Sequence, residues 1–184
     1  MFKKKTILIT GGLGYIGSFF AYEFANLGYK IIIIDNLINS NIECYKFLYK
    51  KFKTKIKFYK FDLTNLNKCH HVFNKHKIDF VIHLAALKSV PESFLFPKKY
   101  LFNNLKSMEN ILRSMEKYHC RNLIFSSTAA LYNFNSKKPF KENYSPKPTS
   151  PYAKTKLQCE KIIKKFSNKN LNNKFTVLRY FNVI

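Results

Sequence analysis

The chain has 184 residues, 46% of them hydrophobic and 17% aromatic, enough for one domain that buries roughly 70% of its extended surface. That composition excludes disorder over most of the chain, and no apolar run approaches the roughly 18 residues of a membrane-spanning helix. Lysine and arginine total 33 against 10 acidic residues, a net charge of +23, which makes attraction to polyanions a property to account for. In chain order, Thr6 to Thr10 reads as a buried strand, followed by glycines and a helix from about Tyr15 to Leu27 with Gly28 as its terminating glycine. Strands follow at Lys30 to Ile34, closed by Asp35, at Ile56 to Phe61, closed by Asp62, and at Phe80 to Leu84. A fifth is predicted from Asn122 to Ser126 and a sixth from Phe175 to Arg179, with helices near 42–50, 66–76, 98–118 and 151–167. Ser150 is placed to cap the last helix and Pro151 to open it.

Short apolar strands, each separated by a helix, argue for an α/β fold with a doubly wound parallel sheet, Rossmann-like, and helices on both faces. Residues 1–184 read as one dinucleotide-binding domain. The basic start Met1 to Lys5 lacks an apolar signal region and a cleavage site, so a cytoplasmic protein is expected. Cys44, Cys69, Cys120 and Cys159 form no C-x-x-C and no metal-ligand spacing with histidine. They are expected to be buried free thiols, with no metal site.

The charge suggests a nucleic-acid binder, since dense positive charge releases counterions from phosphates. The lysines are scattered, however, and lysine, asparagine, isoleucine, phenylalanine and tyrosine are abundant together while only three arginines occur. That pattern favours compositional drift over a nucleic-acid partner.

Four of the five glycines fall between Gly11 and Gly17, in Thr10-Gly11-Gly12-Leu13-Gly14-Tyr15-Ile16-Gly17. A turn that brings backbone N–H groups and a helix start against a pyrophosphate needs positions without side chains there. Asp35, 18 residues past Gly17, ends the second strand with no arginine beside it. A carboxylate there accepts ribose hydroxyls and repels a 2′-phosphate, which points to NAD rather than NADP. Asp62 meets an adenine or caps its turn.

Tyr152 and Lys156 form Y-x-x-x-K, one helical face. With 12 tyrosines and, by subtracting three arginines from 33, 30 lysines, chance supplies about two such pairs; the other is Tyr49 and Lys53. Context separates them, because Tyr152 follows a strand ending in Ser126-Ser127-Thr128, at the carboxyl ends of the strands where ligands bind. Free tyrosine is roughly one part in a thousand phenolate at pH 7, a deficit of about 4 kcal/mol. A nearby lysine ammonium and a positive nicotinamide ring would lower it.

These motifs resemble the extended short-chain dehydrogenase/reductase family, and within it the UDP-glucose 4-epimerases. The resemblance extends over the whole chain, through Asp35 to Ser40, His83 to Ser93, Asn103-Asn104, Phe125 to Thr128, Ser150 to Lys156 and Leu178 to Asn182. It implies a catalytic group of Thr128, Tyr152 and Lys156, and a cofactor path over Gly11, Gly14, Tyr15, Ile16 and Gly17. Asp35, Asn36, Leu37, Asn39 and Ser40 would surround the adenosine ribose, with Asp62 and Leu63 beside the adenine. Leu84, Ala85, Ala86, Lys88 and Asn103 would line the way to the nicotinamide, Phe181 would cover part of it, and Asn182 would touch the sugar nucleotide.

The implied reaction interconverts UDP-galactose and UDP-glucose through a 4-keto sugar, with NAD as resident cofactor. A 4,6-dehydratase would want an Asp-Glu pair after the threonine, where Ala129-Ala130 stand. Ala130 and Asn133 depart from the family pattern without touching the proposed chemistry. The family's C-terminal substrate-binding portion is absent from these 184 residues, so weak or no turnover is expected from them alone. A non-catalytic NAD-binding module is the other reading. The resemblance also implies a UDP-sugar as substrate and a homodimer paired through the helices near 98–118 and 151–167.

Overall fold

The computed structural model describes residues 5–132 and 139–181. Six parallel strands form one sheet in the order β3-β2-β1-β4-β5-β6: β1 Thr6–Thr10, β2 Lys30–Asp35, β3 Ile56–Lys60, β4 Phe80–His83, β5 Asn122–Thr128 and β6 Lys174–Tyr180. Helices α1 (Tyr15–Asn26), α2 (Ile42–Phe52), α3 (Leu66–Lys75), α5 (Pro97–Lys117) and α6 (Pro151–Ser167) supply the crossovers, with a short α4 (Val90–Leu95) ahead of α5. The strand order reverses between β1 and β4, which opens a crevice at the carboxyl ends of the strands.

Alternation along the strands divides the core into two layers. Leu8, Ile32, Ile34, Val81, Leu123 and Phe125 face α3, α5 and α6, meeting Val72, Met108, Ile111, Leu112 and Ile163. Ile7, Ile9, Ile31, Ile33, Ile56 and Ile82 face α1 and α2, meeting Ala21, Ala25, Leu48 and Phe52. Both faces of the central strands are therefore apolar, which is why they read as continuous hydrophobic runs.

The helix ends follow local chemistry. Gly28 takes φ +90°, with its N–H donating to Ala25 O at 3.0 Å and the Tyr29 N–H to Phe24 O at 2.9 Å, a glycine-closed helix end. Ser150 accepts from Ala153 N–H at 3.1 Å, with Pro151 opening α6. The α4 turn is an element the sequence reading passed over. Its signal is Ser89 three residues before Glu92: the Ser89 side chain accepts from Glu92 N–H at 3.3 Å. Phe96, forced out of helical geometry before Pro97, separates α4 from α5.

Cys69, Cys120 and Cys159 are buried free thiols, and burial pushes them up to about 12, 11 and 11, so they are poor nucleophiles. Cys44 departs from the expectation in being only half-buried. No helix among the described residues is long and apolar enough to cross a membrane.

Candidate active site

A cleft of about 450 Å³ runs along the carboxyl ends of the strands, within the range of cofactor sites. At one end lies the turn after β1. Gly11 has φ +67°, and a Cβ there would lie 2.8 Å from Ala85 N. A Cβ on Gly17 would overlap Gly11 O and Gly12 Cα, so the start of α1 can lie against this turn only without a side chain. Gly14 is different. Its φ is −73°, and a Cβ there would meet Gly11 O at an ordinary 3.4 Å. Neither backbone strain nor internal crowding requires glycine at 14, which faces the open cleft.

Asp35 occupies the next section, 8% exposed. Its Oδ1 accepts from Leu37 N–H at 3.0 Å and the Ser40 hydroxyl at 2.8 Å, and its Oδ2 accepts from Leu13 N–H at 3.1 Å. The carboxylate thus ties the glycine turn to the loop after β2. Asp62 caps its own turn, accepting from Thr64 N–H at 2.8 Å and from Asn36 Nδ2 at 3.0 Å. Burial raises the Asp62 carboxyl, but the hydrogen bonds from Thr64 and Asn36 outweigh it, and the group sits below its usual range.

The far end of the cleft holds the hydroxyls and the lysine. Lys156 is 3% exposed, and its Nζ donates to Ser126 O at 2.8 Å while lying 4.8 Å from the Phe125 ring centroid and 6.0 Å from that of Tyr152. Burial brings the ammonium down to about 8. Burial pushes the Tyr152 phenol above its ordinary value, and the Thr128 hydroxyl beside it offsets only part of that rise. The sequence reading expected the lysine to lower the phenol. In the protein's own electrostatics the removal of water around the ring prevails.

Every described residue to which the sequence gave a catalytic or cofactor-binding role lines this cleft except Leu37. Leu37 turns at φ +63° and packs against the core layer beneath α1 and α2. Asn182 and Asn133 lie outside the described residues. Ser127 is also differently used: its hydroxyl donates to Glu160 Oε1 at 2.5 Å.

Several contributors had been given no role, although His83, Asn104 and Tyr180 stand inside the stretches that carry the family resemblance. Ser107 and Tyr180 join the cleft wall. Asn104, 2% exposed, holds the loop after β4: its Oδ1 accepts from Leu87 N–H at 2.8 Å, and its Nδ2 donates to Leu87 O and Thr155 Oγ1, both at 3.0 Å. His83, 1% exposed, shares a hydrogen bond with Thr10 Oγ1 at 2.8 Å, and burial followed by Lys156 lowers the ring to about 3. Glu160 pairs with Arg179 through two contacts, at 3.1 and 2.8 Å. A polar residue at core spacing was the only available signal for Glu160, whereas Asn104 belongs to the Asn103-Asn104 pair of the family pattern.

A glycine turn at the switch point of a 3-2-1-4-5-6 sheet and an acidic residue ending the second strand define a dinucleotide-binding fold, with a tyrosine–lysine pair in the same crevice. The chain belongs to the NAD dependent epimerase/dehydratase family, whose model matches residues 7–184. It is 40% identical over its whole length to the bifunctional protein GAL10 of Kluyveromyces lactis, covering 27% of that protein. It is 38% identical, over 96% of the chain, to the UDP-glucose 4-epimerase of Bacillus subtilis, covering 52% of it. The structure of UDP-glucose 4-epimerase from Bifidobacterium longum, solved in complex with NAD+ and UDP, matches 97% of the chain with a TM-score of 0.92 and 34% identity, over 53% of its own length. The chain thus spans about half or less of the relatives it matches.

Proposed function

We propose that this chain is the cofactor and proton-transfer half of a UDP-glucose 4-epimerase, acting on UDP-galactose and UDP-glucose with NAD as resident cofactor. One observation carries the reading: a single cleft brings the open Gly14 face, the Asp35 carboxylate and the Thr128–Tyr152–Lys156 group together. The residues fit the cofactor. The N-terminus of α1 and the side-chain-free turn at Gly11 and Gly14 would receive the pyrophosphate, and Asp35 Oδ2, which among the described residues accepts only from Leu13 N–H, keeps a lone pair for a ribose hydroxyl. NAD supplies a hydride acceptor that returns the hydride within the same cycle.

The protein's share is proton handling and orientation. Tyr152 would remove the proton of the sugar C4 hydroxyl and return it to the 4-keto oxygen. Thr128 would hydrogen-bond to that oxygen, and its hydroxyl favours the charged form of Tyr152. Lys156, fixed by the Ser126 carbonyl, presents its charge beside the ring. The raised phenol defines what a bound cation must supply, since about 1.4 kcal/mol corresponds to each tenfold in phenolate population.

By the same resemblance, the remaining portion of the full protein would hold the uridine diphosphate, and the 184 residues alone would bind NAD with weak turnover. Phe94, Leu95 and Phe102 are 59%, 74% and 64% exposed on α4 and α5, which supports a homodimer through this face.

The reading is tested by adding UDP-glucose to the NAD-loaded full protein and following absorbance of reduced nicotinamide. A small substrate-dependent fraction of reduced cofactor, with UDP-galactose accumulating, supports it. Tight NAD binding with no reduction and no UDP-galactose would leave a cofactor-binding module without this chemistry.

A further inference from the structure

The lysines looked scattered along the chain, but the fold gathers six of them at the end of the sheet opposite the active site. Lys5, Lys30, Lys55, Lys57, Lys75 and Lys77 line a second cavity of about 520 Å³. It lies at the amino ends of β1 to β4, where Thr6 pairs with Lys30 and Ile32 with Lys57 in adjacent strands. Asp79 is the one carboxylate in its wall, and its Oδ2 is engaged by Thr6 N–H at 2.8 Å. None of the six lysines makes an ion pair among the described residues. Lys5 lies 5.1 Å from the Phe80 ring centroid.

Helix dipoles explain only part of this. The C-terminal ends of α2 and α3 approach the cavity, and each contributes about half a negative charge. With Asp79, that offsets about two of the six positive charges, and roughly four remain without compensation. Burial, followed by Lys57 and Lys75, holds His76 on the rim below its ordinary value, so the ring faces the same positive field. A concave wall concentrates such a field where a convex lysine-rich face would disperse it.

We propose that this cavity is a second binding site, separate from the cofactor cleft, for a small polyvalent phosphate anion such as a linear triphosphate. Its size suits a compact anion rather than a polymer lying across a surface. The lysines are exposed and flexible, each presenting a point charge with three donors, so charge number, not shape, sets selectivity. Triphosphate binds more tightly than pyrophosphate, and pyrophosphate more tightly than orthophosphate.

The test is calorimetric titration of the full chain with inorganic triphosphate at about 0.1 M salt. Native protein and Lys30→Glu/Lys57→Glu are compared with a charge-matched control on α6, Lys161→Glu/Lys165→Glu. All four positions are exposed, and unchanged thermal transitions confirm folding; Lys30→Gln/Lys57→Gln serves if the reversal pair does not fold. The proposal expects one site, weakened at least about tenfold by the Lys30/Lys57 pair and less than about threefold by the control. Equal weakening by both pairs would reduce the effect to diffuse charge. Unaltered binding in the Lys30/Lys57 variant would move the anion to the glycine turn. Absence of triphosphate binding alongside duplex DNA binding that this pair abolishes would assign the patch to nucleic acid. Any of these overturns the proposal.

Discussion

The Nζ of Lys156 donates to the backbone carbonyl of Ser126 at 2.8 Å, from α6 to β5, and is almost completely enclosed. One hydrogen bond does not replace the hydration of an ammonium, so the charged form is disfavoured and the group falls to about 8. The sign for stability follows. The unfolded chain holds this proton up to about pH 10.4, so between about pH 8 and 10.4 it binds more protons than the native state. Lys156 therefore lowers stability below about pH 8, and the penalty is relieved as pH rises. The stability of the native protein relative to Lys156→Met is expected to rise by about 1–3 kcal/mol across that window. Denaturant unfolding at pH 7.5 and pH 10 measures it, and a flat difference would show that the lysine is hydrated.

His83 gives the opposite edge of the stability profile. Its ring is lowered to about 3 by burial and by Lys156, whereas the unfolded chain takes up the proton near pH 6.5. Stability is therefore lost as pH falls from about 6.5 toward 3. About 2 kcal/mol should disappear between pH 6.5 and 5. Urea unfolding of native and His83→Asn proteins at both pH values tests this, the variant being expected to lose less on acidification.

The glycines separate folding from binding. In Gly17→Ala the new methyl meets the Gly11 carbonyl and Gly12 Cα, and a loss of about 3 kcal/mol or more is expected. Gly14→Ala meets nothing closer than 3.4 Å and should change stability by no more than about 1 kcal/mol. Its NAD affinity should nonetheless fall at least about tenfold, since the methyl enters the cleft. Thermal unfolding and NAD titration of the two variants would show this crossing pattern; equal loss of affinity without loss of stability in Gly17→Ala would contradict the packing argument.

Asp35 both selects and supports. Asp35→Asn keeps the shape but removes the negative charge accepting from Leu13 N–H, Leu37 N–H and Ser40. A stability loss of about 1–3 kcal/mol is expected. The preference for NAD over NADP should narrow at least about tenfold, because the repulsion of a 2′-phosphate is gone. Paired titrations with both nucleotides measure the ratio.

The sheet was legible because strands buried on both faces leave unbroken apolar runs, as at Ile31 to Ile34, and Asp35 marks where one ends. The glycine turn was legible because glycine is scarce elsewhere in this chain. The α4 turn was missed because six residues carry too little periodicity, although Ser89 and Glu92 announced its start. Leu37 followed the motif around it, yet its side chain turns into the core. Asn104 stood in a quoted motif without a stated role and Glu160 in none, since what they hold, Leu87 and Arg179, comes to them only through the fold. The tyrosine was found from the hydroxyl-bearing strand end ahead of it, because Tyr49 and Lys53 share its helical spacing, but its burial, which sets the direction of its titration, depends on long-range packing.

The most direct test is the conversion of UDP-galactose to UDP-glucose by the full protein and its Tyr152→Phe variant, with bound NAD quantified in both. The variant is expected to keep NAD within about threefold and to lose at least about a hundredfold in kcat. Conversion that survives in Tyr152→Phe, or a native protein that binds NAD and leaves UDP-galactose unchanged, would contradict the assignment of this cleft.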